Sequence, residues 1–311
     1  MFLCIGPTPA LQRVMVFSKL TLDAVNRATT TVDGAAGKSV NVAKILKFLG
    51  EWPLAAGFVG GESGEHLLTL LRAKGIESDF VKVTPPTRQC ITVIDESAAT
   101  ITELVEESRP VSTDDYELLT QIIRRRIENC RAVIISGTMT PGGPPEFYRQ
   151  CTQLAHESRA ITILDAHGPP LAHALEAKPD VVKPNRAELA AMSKQRLQSE
   201  PDVIAGMRGL HDRGAQRVII TAGKEPTLAF DGRSVWRIRS GPTRALNPIG
   251  SGDAFTAALA WRLTRGDELG EACRWGAAAG AANALTLLPG ELEPKELERL
   301  AREVEIEQIP E

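Results

Sequence analysis

The chain has 311 residues, 43% of them apolar, and a net charge of −3 from 36 basic and 39 acidic side chains. This balance, without a long basic tract, excludes nucleic-acid binding driven by bulk charge. No apolar run reaches the roughly 18 residues of a membrane span, so no membrane partner is expected. Five scattered cysteines, without Cys-x-x-Cys or Cys/His spacing, predict neither a disulfide framework nor a zinc site. We therefore predict a reduced, cytoplasmic protein.

The first residues predict a buried strand. Residues 1–5 are apolar and are followed at once by Gly6, Pro7 and Pro9, with no basic residues before them, unlike a signal peptide. Residues 12–32 and 87–111 are rich in Thr, Val and Arg with alternating character, which predicts antiparallel strands in a small flap made from two pieces of chain. No internal repeat or Pro/Ser-rich linker is evident, so residues 1–311 are predicted to form a single domain.

The stretch DGAAGKSVN, residues 33–41, contains the Gly-Lys-Ser triplet that ends a nucleotide-binding P-loop. A P-loop also needs a glycine five residues before the Gly-Lys pair, and Val32 occupies that position. Apolar residues then recur at helical intervals as far as Gly50, which suits a C-cap. The pattern therefore predicts a turn that leads into a helix N-terminus, where unpaired amide groups can bind an anion or a hydroxyl-rich ligand.

Strands alternate with helices in the middle of the chain. Helical patterns occur around residues 114–129 and 201–213. The predicted strands are residues 132–136, 160–165, 181–185 and 217–221. This rhythm predicts a mostly parallel sheet covered on both faces. Ligands bind at the carboxyl ends of such strands, where Ser136, Asp165, Asn185 and Thr221 are expected to cluster.

The segment Gly250-Ser251-Gly252-Asp253 precedes an alanine-rich helical pattern. A carboxylate near a helix N-terminus is favoured by the helix dipole, so Asp253 alone fits a capping residue equally well. The flanking glycines favour a functional role, because a phosphate can approach their backbone amides closely. A base beside an anion hole is the arrangement that phosphoryl transfer requires.

Two of these stretches resemble the N-terminal and C-terminal signatures of the PfkB (ribokinase-like) carbohydrate kinases. The signatures are residues 35–43 and residues 247–253. Further short motifs follow in the family's order: Thr8-Pro9-Ala10-Leu11, Thr87-Arg88, Ser136-Gly137-Thr138, Leu164-Asp165, residues 182–188 and Thr221-Ala222-Gly223-Lys224. The motifs are most similar to those of 1-phosphofructokinases and tagatose-6-phosphate kinases. The resemblance implies a three-layer α/β/α fold with a mostly parallel central sheet and a small β-sheet lid.

The resemblance also implies ATP- and Mg²⁺-dependent phosphoryl transfer. Asp253 would be the general base, and Gly250, Ser251 and Gly252 would form the anion hole. The residues expected on the nucleotide side are Lys183, Asn185, Thr221 and Gly223. The Asn-x-x-Glu element of Asn185 and Glu188 would help to place Mg²⁺ through water. Asn283 is a further candidate for the adenine side, although its segment, residues 277–288, more simply fits a helix packed against a neighbour.

On the sugar side, the resemblance implies that the Gly-Lys-Ser stretch holds the phosphate acceptor and not ATP. The residues expected there are Gln12, Gly37, Lys38, Asn41, Arg88 and Ser136. Arg88 fits the position that grips a phosphate already on the sugar, and its planar fork of donors suits that role. Arg13, Arg27 and Lys38 are alternatives for it. The small lid would close over the sugar, exclude water and pair two subunits into a homodimer.

The chain departs from the family pattern at the acceptor end. Relatives carry an aspartate where Gln12 stands and a Gly-Gly-Lys-Gly loop where residues 36–39 read Ala-Gly-Lys-Ser, and Cys90 stands where asparagine is common. We expect a kinase of a ketohexose monophosphate: fructose 1-phosphate, fructose 6-phosphate or tagatose 6-phosphate. The alternatives are a kinase of an unphosphorylated sugar or nucleoside, and a sugar or nucleotide sensor derived from a kinase.

Overall fold

The computed structural model describes residues 1–193 and 197–309. Its strands are β1 (Phe2–Ile5), β2 (Ala10–Phe17), β3 (Thr30–Ala36), β4 (Pro53–Ala56), β5 (Phe58–Val59), β6 (Glu77–Ser78), β7 (Val81–Lys82), β8 (Arg88–Asp95), β9 (Thr100–Val105), β10 (Ala132–Ser136), β11 (Ile161–Asp165), β12 (Val181–Val182), β13 (Arg217–Ala222), β14 (Glu225–Phe230), β15 (Val235–Arg239) and β16 (Glu305–Ile309). Its helices are α1 (Lys38–Phe48), α2 (Gly61–Ala73), α3 (Thr113–Arg126), α4 (Phe147–Glu157), α5 (Gly168–Leu175), α6 (Arg186–Ser193), α7 (Glu200–Asp212), α8 (Ser251–Leu263), α9 (Leu269–Asn283) and α10 (Pro294–Glu303). Among these described segments, no helix has both the length and the apolar character of a membrane span.

The central sheet has ten strands in the order β16-β15-β14-β13-β12-β11-β10-β1-β4-β6. Neighbouring strands are parallel from β6 to β13 and antiparallel from β13 to β16. The strands predicted at residues 132–136, 160–165 and 217–221 all belong to it. The strand predicted at 181–185 is shorter: Pro184, which has no N–H, interrupts the ladder, and Asn185 pairs with Thr221 only as an isolated bridge.

Helices cover both faces of this sheet. Side chains of the central strands alternate between two cores: in β1, Phe2 and Cys4 pack on one side, whereas Leu3 and Ile5 pack on the other. The first core is covered by α1, α2, α8, α9 and α10, and the second by α3 to α7. This arrangement confirms the predicted three-layer α/β/α fold with a mostly parallel central sheet.

A separate four-stranded sheet has the order β3-β2-β8-β9. It comes from the two segments predicted to form a flap, but β2 begins at Ala10 and β3 continues to Ala36. The prediction of antiparallel strands is correct for β2–β3 and β8–β9 and wrong for β2–β8, which pair in parallel. A parallel pair needs a long crossover, and the chain from β3 to β7 supplies it. On the inner face, Val14, Val16 and Ile94 pack with Leu288.

Candidate active site

A cavity of about 300 Å³ lies at the carboxyl ends of β11, β12 and β13. The starts of α1 and α8 and the inner face of the small sheet complete its wall. Ser136 pairs with Asp165 at the strand ends, and Asn185 pairs with Thr221, as the parallel-sheet rule predicts. The cavity therefore brings residues from distant parts of the chain to one edge of the sheet.

The start of α8 forms a cradle for an anion. Gly250 precedes the helix with a φ of +83°, and a β-carbon there would lie 2.7 Å from the Cβ atom of Pro289, so both backbone and space require glycine. The Ser251 amide donates to the Pro248 carbonyl at 3.1 Å, whereas the next amide groups have no carbonyl partner within the helix. Within the described part of the chain, the buried Ser251 hydroxyl also has no hydrogen-bond partner. Gly250 and Gly252 line the cavity, so the local chemistry fits a phosphoryl group.

The Asp253 carboxylate lies beside this cradle and lines the cavity. It is buried, and its Oδ2 atom accepts a 2.7 Å hydrogen bond from Asn41 Nδ2. Burial raises the pKa of the Asp253 carboxyl from 3.8 to about 6; nearby Asp165 raises it as well, whereas Lys38, Lys183 and the Asn41 hydrogen bond lower it. Asp253 is thus a carboxylate that is ionised at neutral pH and able to accept a proton near that pH.

Asp165, at the end of β11, forms ion pairs with two lysine side chains. Its Oδ1 atom lies 2.8 Å from Lys38 Nζ, its Oδ2 atom lies 3.0 Å from Lys183 Nζ, and Thr256 Oγ1 donates to Oδ2 at 3.3 Å. Burial alone would raise the pKa of Asp165, but Lys183 and Lys38 hold it well below its ordinary value. The sequence predicts Asp165 at the strand ends and within one of the short family motifs, but it does not indicate a role for this residue.

The helix start at residues 37–41 faces the same cavity as Asp253. Gly37 has a φ of +103°, and a β-carbon there would lie 2.7 Å from the Cα atom of Pro9. Lys38 and Asn41 follow in the first turn of α1 and reach Asp165 and Asp253, respectively. Although burial alone would lower the pKa of Lys38, Asp165 and Asp253 raise it well above its ordinary value. The Gly-Lys-Ser stretch therefore contributes to the candidate active-site cavity, and its lysine is positively charged at neutral pH.

Arg88 lies at the start of β8 on the cavity wall. Its Nη2 atom donates to the Thr8 carbonyl at 3.2 Å, whereas its Nε atom is buried with no partner in residues 1–193 and 197–309. A buried unpaired donor next to a cavity suits an anionic ligand group. The competing Arg13 forms an exposed two-point pair with Asp33, both bonds at 2.7 Å, and does not line this cavity.

Gln12 and Ser136 occupy different positions relative to the cavity. Gln12 is buried and lines it, but its Nε2 atom donates to Thr92 Oγ1 at 2.8 Å, so one side of its amide is already used. Ser136 is buried at the end of β10, and its hydroxyl has no partner among the residues described. It does not line the cavity.

The nucleotide-side candidates divide into two groups. Lys183, Asn185, Glu188 and Thr221 line the cavity. Gly223 forms a turn after β13 with a φ of +63° and does not line it.

Asn283 forms hydrogen bonds with the backbone around the cradle. It is fully buried, its Nδ2 atom donates to the Ile249 carbonyl at 2.9 Å, and its Oδ1 atom accepts from Gly290 N at 2.8 Å. Both ends of its amide thus hold loops beside α8, and it does not line the cavity. These contacts fit the alternative of a packed helix, and the adenine contact of Asn283 stays a prediction.

The Asn-x-x-Glu element caps the N-terminus of α6 through reciprocal hydrogen bonds between its two residues. Asn185 N donates to Glu188 Oε2 at 2.8 Å, and Glu188 N donates to Asn185 Oδ1 at 2.9 Å. In the described ranges, no group of three or more His, Cys, Asp or Glu side chains could hold a metal. One carboxylate and one amide oxygen on the cavity wall nevertheless fit Mg²⁺, which usually retains several waters.

Known proteins share this architecture. The model of the pfkB family carbohydrate kinases matches residues 3–295. A tagatose-6-phosphate kinase of Staphylococcus epidermidis is 25% identical, with 99% of this chain and 100% of that protein aligned. Two crystal structures of phosphofructokinase-2 from Escherichia coli, one with potassium and one with fructose-6-phosphate, are each 25% identical with TM-scores of 0.89 and 0.87. Both comparisons cover 97% of this chain and 98% of that chain.

The family match extends through nearly the whole chain, and the fold and the order of the motifs agree with it. The kinase activity expected from the sequence is the activity that this family carries out. The chain belongs to the pfkB family of carbohydrate kinases.

Proposed function

We propose that the protein transfers the γ-phosphoryl group of ATP to a hydroxyl group of a ketohexose monophosphate and releases ADP and a bisphosphate. The candidate acceptors are fructose 1-phosphate, fructose 6-phosphate and tagatose 6-phosphate. One observation carries the proposal: the buried Asp253 carboxylate lies beside the α8 cradle in a cavity that also contains Arg88. The relatives named tagatose-6-phosphate kinase and phosphofructokinase support the sugar-phosphate class.

In this proposal, Asp253 accepts the proton of the acceptor hydroxyl as that oxygen attacks the γ-phosphorus. The new O–P bond forms while the bond between the γ-phosphorus and the bridging oxygen breaks, and ADP leaves with the electron pair. The amides at the start of α8 stabilise charge on the transferred group, because they are fixed before the reaction begins. Asn41 orients the Asp253 carboxylate through its 2.7 Å hydrogen bond.

The two lysines and the metal site would balance the charge of the substrates. Lys38 and Lys183, both held by Asp165, supply positive charge beside the phosphates. Mg²⁺, when bound, neutralises phosphate oxygens, and Asn185 and Glu188 would hold it through water.

The pH dependence of kcat/KM should report the ionisation of Asp253. Only the ionised carboxylate accepts a proton, and burial raises its pKa to about 6. We therefore expect kcat/KM to fall about tenfold per pH unit below that value and to level off above it. Initial rates at saturating ATP, measured from about pH 5 to about pH 8, test this. A profile that stays level through the acid range would contradict the role of Asp253 as the base.

Arg88 should separate phosphorylated from unphosphorylated acceptors. Arg88→Ala is expected to raise the KM for the accepted hexose monophosphate by about 10- to 100-fold, because a charged hydrogen bond to phosphate is lost. The KM for ATP should stay within about twofold. The measurement is ADP release with the three hexose monophosphates, fructose and ribose.

Arg13→Ala is the matched control, because Arg13 is paired with Asp33 away from the cavity. Its kinetic constants should equal those of the wild type. Equal use of fructose or ribose by the wild type, with no effect of Arg88→Ala, would favour a kinase of unphosphorylated sugars. Absence of ADP release with every acceptor would favour a sensor.

The remaining expectations stay predictions. They are a single domain over residues 1–311, closure of the small sheet as a lid, a homodimer formed through that sheet, and a cytoplasmic location.

A further inference from the structure

Four carboxylates of the described residues line the cavity: Asp165, Asp253, Glu188 and Glu103. The first three are engaged by lysines, by an asparagine side chain and by a backbone amide, respectively. The Glu103 carboxylate makes no hydrogen bond or ion pair with the side chains of the described residues, and the Arg88 guanidinium is its nearby cation. Among the described residues, Glu103 is therefore the carboxylate of this cavity without a direct partner, and its exposed side chain is open to a ligand.

The strand register directs Glu103 into the cavity. Glu103, on β9, lies directly opposite Thr92, on β8, so the two side chains project from the same face of the small sheet. Thr92 is fully buried, and its hydroxyl accepts the hydrogen bond from Gln12 Nε2. The Gln12 amide nitrogen thus already donates a hydrogen bond within the sheet. Glu103, on β9, projects from the same face, and both of its carboxylate oxygens remain available to a ligand.

On the small sheet, the described part of the cavity wall carries one cation, Arg88, and one carboxylate without a direct partner, Glu103. A hexose monophosphate has a group that suits each of them. Its hydroxyl groups are its only hydrogen-bond donors, and its phosphate is an acceptor. An ionised carboxylate only accepts hydrogen bonds, whereas the Arg88 guanidinium only donates them. A phosphate placed against Glu103 would be repelled. A phosphate at Arg88 with hydroxyl groups at Glu103 would therefore satisfy both neighbouring side chains.

We propose that Glu103 determines acceptor specificity by accepting hydrogen bonds from hydroxyl groups of the sugar. This inference rests on the proposed hexose-monophosphate kinase activity and adds to it a residue on β9, an edge strand of the small sheet. Glu103 provides a charged carboxylate that can accept hydrogen bonds from sugar hydroxyl groups. Gln12 cannot provide this charge, and its side-chain nitrogen already donates to Thr92.

Kinetic constants of Glu103→Gln and Glu103→Ala test the inference, with the accepted hexose monophosphate and its monodeoxy analogues as acceptors. The KM for the acceptor should rise about tenfold in Glu103→Ala and less in Glu103→Gln, which keeps one acceptor oxygen. For the analogue that lacks the contacted hydroxyl, wild type and variants should have the same KM. Glu107→Gln, which removes the same charge from an exposed residue just after β9, should match the wild type.

The other outcomes overturn the inference. A lower KM in Glu103→Gln would mean that the carboxylate repels the phosphate, and an unchanged KM with every analogue would mean that it does not contact the sugar. In both cases the wild type still phosphorylates a hexose monophosphate, so the proposed function stands. If the wild type phosphorylates no hexose monophosphate, both fail.

Discussion

Replacing Asp253 with asparagine is expected to lower kcat by about 10³-fold or more, because the acceptor hydroxyl loses the group that takes its proton. Asparagine has nearly the same shape and leaves an oxygen for the hydrogen bond from Asn41. The KM for ATP and for the sugar should therefore change little. Coupled measurement of ADP release gives kcat, and single-turnover measurements show whether the chemical step is the one affected.

The same substitution should not destabilise the protein at neutral pH. Burial raises the pKa of Asp253 above its ordinary 3.8, so ionisation opposes folding and the wild type loses stability as the pH rises from about 4 to about 6. A neutral amide avoids this cost, so the free energy of unfolding at pH 7 should be unchanged or higher. Urea denaturation measures it.

Asp202 provides the matched control, since it is the third residue of α7, as Asp253 is the third residue of α8. Asp202 forms a capping box with Ser199 and lies outside the cavity. Asp202→Asn should lower the free energy of unfolding only slightly and leave kcat unchanged. A wild-type kcat in Asp253→Asn would mean that Asp253, too, is only a helix-terminal residue.

Replacing Asp165 with asparagine should reduce both stability and activity. Asp165 and Lys183 are almost completely buried, and removal of one partner leaves an uncompensated buried charge, which typically costs about 3–5 kcal/mol. We expect a loss of that size at pH 7 by urea denaturation. Because Lys183 and Lys38 hold the pKa of Asp165 below its ordinary 3.8, the difference from the wild type should shrink only when the pH falls below that value.

The activity of Asp165→Asn should report on the same electrostatic network. Lys38 and Lys183 lose the carboxylate that positions them, so kcat should fall. Asp165 also raises the pKa of Asp253, so the acid limb of kcat/KM should move to lower pH in the variant. Asp33→Asn, which breaks an exposed pair with Arg13, should cost less than about 1 kcal/mol and leave the pH profile unchanged. Wild-type stability and rate in Asp165→Asn would refute this account of the network.

Local patterns were sufficient for much of the fold and for part of the site. Short β-branched segments predicted the central strands because parallel strands covered on both faces are continuously apolar. The glycines at residues 37 and 250 marked two helix starts because each adopts a positive φ that other residues avoid. These features depend on neighbouring residues, so the sequence alone predicts them.

Contacts between distant residues could not be predicted in the same way. Lys38 and Asp165 are 127 positions apart, and only the sheet topology brings them together. Glu103 lies in a mostly exposed strand, where an acidic residue is ordinary, and only its register with Thr92 places it in the cavity. Asn283 was a candidate for a ligand contact, but its side-chain amide hydrogen-bonds to the backbone of Ile249 and Gly290. The sequence does not show that these backbone groups lie near it.

A crystal structure with the hexose monophosphate and a non-transferable ATP analogue tests the central claim most directly. We expect an Asp253 carboxylate oxygen about 2.6–3.2 Å from the acceptor hydroxyl, with the γ-phosphate against the amides of Gly250 to Gly252. An Asp253 carboxylate that points away from both ligands, with no water bridging it to the hydroxyl, would contradict it.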